Sequence, residues 1–116
     1  MSLLDKKLTP EGDIFKFTNP GERIHAEFLG RRTVKTKKQD RAAVFDCDII
    51  ESRKIDRNEE ESGPVGIHTV FASTHITDLL DRAALEKGDY FVLQLCSIDP
   101  KKGFKKFALE RVGPTG

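Results

Sequence analysis

A mainly β domain carrying a single helix is predicted by three observations. Period-2 alternation of apolar and polar residues recurs at Ile24–Val34, Ala42–Glu51, Val65–Ala72, Asp89–Ile98 and Lys105–Val112, the spacing of half-buried strands. The period changes to that of a helix once, where Ile76, Leu79, Leu80, Ala83 and Ala84 fall at i, i+3, i+4, i+7 and i+8. Turn residues punctuate the stretches between, as in Asn19-Pro20-Gly21, Ser62-Gly63-Pro64 and Asp99-Pro100-Lys101-Lys102-Gly103. A chain of 116 residues with 37% apolar content is long enough for one core without covalent staples.

Residues 1–20 read as a loosely ordered arm, in which Ile14-Phe15-Lys16-Phe17 suits a short extra strand. The folded domain is expected over 21–112, with 113–116 as a tail. Its first two strands form a long hairpin turning near Lys37-Lys38-Gln39-Asp40. Ile24, Ala26 and Phe28 share one face of the first strand, and Gly30 marks a bulge or bend. On the second, Ala43, Phe45, Cys47 and Ile49 alternate with Val44, Asp46, Asp48 and Ile50. Ser52–Pro64 is charged and lacks apolar alternation, and so reads as a solvated loop. In the third strand Ile67, Thr69 and Phe71 form the more apolar face, opposite His68 and Val70. Ser73 or Thr74 caps the helix, and Lys87-Gly88 suits its end. Phe91, Leu93 and Leu95, then Phe107 and Leu109, supply the core face of the last two strands.

Several function classes are excluded on this reading. The apolar runs are far too short to cross a bilayer, and MSLLDKKLTPEGD lacks the apolar core of a secretory signal. A cytoplasmic protein is expected, with Cys47 and Cys96 reduced and buried in strands. No Cys/His spacing suits zinc. Asp46 and Asp48 with Glu27 read as solvated acids rather than a cation site, so no metal or cofactor is expected. His25, His68 and His75 are scattered, and no phosphate-cradling glycine loop or nucleophile elbow is present. An enzyme is not expected.

The net charge of +1 conceals segregation. Arg31, Arg32, Lys35, Lys37, Lys38 and Arg41 surround one acid, Asp40. Asp56–Glu61 is acidic, and Lys101–Arg111 holds five basic residues and one acid. A basic footprint would therefore be local.

Three strands, a helix and a two-strand hairpin, with the Gly30 bend and the Glu86-Lys87-Gly88-Asp89 lead into the fourth strand, resemble the oligonucleotide/oligosaccharide-binding (OB) fold. The resemblance covers about residues 21–112 and implies a five-stranded Greek-key barrel with the helix between strands three and four. In size and element order the chain is similar to small phage and bacterial single-stranded-DNA-binding proteins. The resemblance implies a ligand face on strands two and three, flanked by the loops at 35–41 and 100–106, the two most basic segments. Single-stranded nucleic acid is then the expected partner, held by Arg31, Arg32, Lys35, Lys37, Lys38, Arg41, Lys101, Lys102, Lys105 and Lys106. Phe28, Phe45, Phe71, Phe91 and Phe107 follow the apolar parity and read as core. Phe104 is thereby the best stacking candidate, ahead of Tyr90, Phe15 and Phe17. Asp46 and Asp48 on the ligand face oppose this reading. The alternative is a protein-interaction or self-assembly module using Val44, Ile50, Val70 and Val92, with the acidic Asp56–Glu61 segment pairing to a neighbour's basic loop.

Overall fold

A computed structural model describes residues 13–37 and 41–114. Among them the chain is mainly β with one helix. Its strands are β1 (Asp13–Ile14), β2 (Arg23–Val34), β3 (Ala42–Asp56), β4 (Glu59–Ser62), β5 (Gly66–Phe71), β6 (Tyr90–Ile98) and β7 (Lys105–Val112), with α1 (Thr74–Ala83) after β5.

The β2–β3 hairpin is the centre of the sheet, whose order is β1-β5-β3-β2-β6-β7 with β4 folded back on β3. All pairs are antiparallel except β1 with β5. The first half of β2 carries β3 on one side and β6 on the other; its second half pairs with β3 alone. Between those halves the register slips at Phe28/Gly30. Gly30 holds φ +144 there, a conformation that side chains disfavour, which explains why the expected bend needs a glycine. Alternation then builds the core from Ile24, Ala26 and Phe28 of β2, Phe45, Cys47 and Ile49 of β3, and Phe91, Leu93 and Leu95 of β6. Phe28, Phe45 and Phe91 meet with ring centroids 5.9–6.3 Å apart, in the tilted and edge contacts that aromatic quadrupoles favour.

The helix begins as its sequence predicts. The Ser73 hydroxyl accepts from the Ile76 N–H at 3.3 Å, and Ile76 and Leu80 bury the apolar stripe. It ends earlier than Gly88, with Ala84 in the left-handed region at φ 51 donating to the Asp81 carbonyl.

Four expectations need correction. The sheet has seven strands among the described residues and is not closed into a five-stranded barrel. Residues 52–64 form an extension of β3 and the β4 return. The two-residue turn Arg57-Asn58 adopts positive φ at both positions (51 and 63), as tight hairpins require. This ribbon lacks apolar alternation because charges stabilise it: Lys54 lies opposite Glu61, and Glu60 pairs with Arg23 and Arg53. The parity of β5 is reversed. Val70 pairs with Phe45 and His68 with Cys47, inside, whereas Ile67, Thr69 and Phe71 lie on the other face opposite Asp48, Asp46 and Val44, with Ile67 and Phe71 exposed and Thr69 covered by Arg32 and Asp46. A one-residue slip exchanges the faces of a strand, and the strongly apolar inner face of β3 chooses Val70. His68 is tolerated inside because Nδ1 meets the Gly66 carbonyl at 3.0 Å and its ring lies edge-on to Phe15. Finally, Cys47 is buried but Cys96 is exposed, at the register slip between Leu95 and Ser97 that leaves it unpaired in β6.

The sheet stays open between its β1–β5 flank and β7, because Phe15–Thr18 lies between β5 and β7. The Phe15 N–H donates to the Thr69 carbonyl of β5 at 2.9 Å. On the other side Lys105 Nζ of β7 donates to the Phe17 carbonyl at 2.6 Å, and the Phe17 ring meets Phe107 edge-on at 5.1 Å. Helix α1 braces the same seam: the Phe107 N–H donates to His75 Nε2 at 3.0 Å. Phe15 and Phe17 are buried, so the core takes in residues upstream of Gly21.

Candidate nucleic-acid interface

The outer face of β2, β3 and β5 places Arg32, Asp46 and Thr69 side by side. Arg32 grips Asp46 with two hydrogen bonds, Nε–H at 2.7 Å and Nη2–H at 3.2 Å, and the Thr69 hydroxyl adds a third at 2.6 Å. Partial burial alone would favour the neutral acid, but these donors outweigh it and hold the Asp46 carboxyl below its ordinary range. Its charge is therefore matched by a fixed guanidinium, which weakens the electrostatic objection to an anionic ligand. Asp48, opposite Ile67 and Glu27, remains on this face as a half-buried acid.

The expected site residues separate into three groups. Arg31 and Arg32 are committed within the fold, the first to Asp81 of α1 at 2.7 Å and the second to Asp46. Lys35, Lys37 and Arg41 are exposed at the β2–β3 tip; Lys38 lies outside the described residues. Lys101, Lys102, Phe104 and Lys106 are exposed on the β6–β7 turn, whereas Lys105 is tied to Phe17. Asp99 fixes that turn, its carboxylate accepting the N–H groups of Lys101 at 2.8 Å and Lys102 at 3.2 Å. Those bonds lower the Asp99 pKa, as does nearby Lys106.

A cleft of about 740 Å³ opens at the seam, within the roughly 300–1,000 Å³ span of small-molecule sites. Its floor is core, including Phe17, Val70 and Ile76, and its rim carries Lys16, Lys105 and Lys106. Phe71 enters from the end of β5, 41% exposed, and Phe104 from the β6–β7 turn, 65% exposed. Comparison with family models, curated proteins and solved structures gave no match.

Of the eight phenylalanines, Phe15, Phe17, Phe28, Phe45, Phe91 and Phe107 each contact another phenylalanine ring. Among the described residues, Phe71 and Phe104 contact none. Sequence reasoning identified Phe104 but assigned Phe71 to the core through the reversed parity of β5. The other stacking candidates are occupied: Phe15 and Phe17 are interior, and Tyr90 is half-buried against His25. Phe71 also links the two basic segments. It stands opposite Val44, itself opposite Arg32, near the base of the β2–β3 tip, and shares the cleft with Phe104 and Lys106.

Proposed function

We propose that this protein is a non-enzymatic single-stranded nucleic-acid-binding module with an OB-like sheet opened at one seam. Strands β2, β3, β5, β6 and β7 stand for the five OB strands, and the ligand face is β3–β5 with its flanking loops. The observation that carries this reading is the placement of Phe71. It is an outward, unstacked ring near the base of the β2–β3 tip, and it shares a cleft with Phe104 and Lys106 of the β6–β7 hairpin. Aromatic platforms between cationic lips suit single strands, because bases stack without regard to sequence while phosphates meet lysines.

The test is titration of a labelled oligothymidine at low and raised salt, with Lys35, Lys37, Lys102 and Lys106 changed to Glu. Affinity of the parent protein falls with salt, and the variant binds weakly with a shallower dependence. For single strands each lost phosphate contact removes about 0.7 from the log–log slope. Equal binding by parent and variant would remove the proposal.

Self-association is a second reading, favoured by a separate patch. Ile14, Ile50, Val65 and Ile67 are exposed around the start of β5, on a flank that β1 pairs at only His68 and Thr69. Val44 and Val70, expected in such a contact, are buried, and Val92 is half-buried. The acidic ribbon pairs within its own chain through Glu60. Light scattering across concentration tests it: a mass constant at the monomer value would dismiss self-association.

A further inference from the structure

We infer that the seam cleft is a nucleobase pocket, in which one unpaired base of the bound strand inserts between Phe71 and Phe104 while Lys16 and Lys106 hold the adjoining phosphates. This rests on the single-strand reading above and adds to it a place where the strand leaves the sheet face and turns a base inward. Three features carry the inference. The two phenylalanine rings that contact no other ring both line this one cleft, on separate elements. The cleft is lined by interior side chains, Phe17, Val70 and Ile76 among them, so it offers an apolar surface that suits an inserted planar group better than a charged backbone. Its cations sit at the rim, where Lys16 and Lys106 are exposed. An apolar slot with flanking aromatics and cations at its mouth matches a nucleotide, whose flat base and charged phosphate are separated by the sugar.

Lys105 has a different part. Its ammonium donates to the Phe17 carbonyl at 2.6 Å, so it fixes the segment that walls the cleft. It is a positioning residue, not a phosphate contact.

The experiment measures binding of a labelled oligothymidine and of the same strand carrying abasic sites, to the parent protein and to Phe71→Ala, Phe104→Ala, Phe71→Tyr and Phe104→Tyr. Both aromatic side chains are substantially exposed, so the variants should fold, and thermal melting verifies that. Each alanine change is expected to weaken oligothymidine binding about tenfold, since stacking is worth roughly 1–3 kcal/mol per base and 1.4 kcal/mol is a factor of ten. The slope against salt should not change, and the tyrosines should restore affinity. The abasic strand should bind the parent more weakly, yet bind the alanine variants as it binds the parent. Tight, salt-dependent binding that neither the alanines nor the abasic strand disturbs overturns the pocket and leaves the single-strand reading standing. Failure of the parent to bind any oligonucleotide overturns both. Displacement of a bound strand by laurate but not by thymidine monophosphate would assign the cleft to amphipathic carboxylates and overturn the nucleobase assignment.

Discussion

The two sides of this sheet use the same residue type for opposite ends. Around β2, β3 and β6, Phe28, Phe45 and Phe91 are buried against one another in an interior with continuous strand pairing on both flanks. At the seam between β5 and β7 the strands do not pair. Phe15 and Phe17 fill part of the gap, and Phe71 and Phe104 project into the cleft that remains. Where backbone hydrogen bonds close the sheet, the aromatics serve cohesion. Where an inserted segment closes it with one main-chain bond, one lysine side-chain bond and two rings, an open cleft is left.

Substitutions on the closed side should cost the most stability. Phe45→Ala deletes a fully buried ring and should lower unfolding free energy by about 3–5 kcal/mol. Phe104→Ala should change it by less than about 0.5 kcal/mol. Urea unfolding of the two variants compares the regions directly, and similar losses would erase the distinction.

Glu22 joins the two sides, and its removal comes next in size. Its buried carboxylate accepts the Thr18 N–H at 2.6 Å, the Lys54 ammonium at 2.9 Å and the Ile55 N–H at 3.1 Å. Burial opposes its ionisation, but these bonds outweigh burial and hold its pKa below 4.5. Glu22→Ala leaves their donors unmatched and should cost on the order of 2 kcal/mol, because hydrogen bonds to charged groups contribute about 1.5–3 kcal/mol. A pKa depressed by folding stabilises the native state above the unfolded value, and that stabilisation is lost as pH falls through the folded value. Glu22 and Asp46 behave alike in this respect. Stability should therefore decline below about pH 4.5, and less steeply in Glu22→Gln. Denaturation midpoints between pH 3 and 7 measure this, and parallel curves for the two proteins would contradict it.

The smallest effect concerns the thiols. Burial, then the neighbouring Asp46 and Asp48 charges, push the Cys47 thiol up to about 12, whereas Cys96 is exposed. Native protein at pH 8 should be alkylated at Cys96 and protected at Cys47. Mass spectrometry after mild iodoacetamide treatment reads the difference, and labelling of Cys47 without unfolding would show that the interior opens.

The parts visible in the sequence are those that a single periodicity decides. The β2–β3 hairpin, the Gly30 bend, the Ser73 cap and the β6 core face all follow from local pattern. The failures have physical causes. Ile67–Phe71 offers two half-apolar faces, and only pairing with Phe45 and Cys47 selects one. The β3–β4 ribbon is held by cross-strand charge, which resembles a loop when only hydropathy is read. The open seam depends on contacts such as Lys105 with Phe17, 88 residues apart in sequence. The basic segments were legible as charge runs; the cleft at the seam was not, because Phe71 changes role with the face of its strand.

The most direct measurement of the central claim is fluorescence anisotropy of a labelled oligothymidine against the parent protein and Phe71→Ala across a salt series. Salt-weakened binding by both proteins is expected, with the variant about tenfold weaker at every salt concentration and the slopes equal. Superimposable curves would make Phe71 an incidental surface ring and rule out its role in binding.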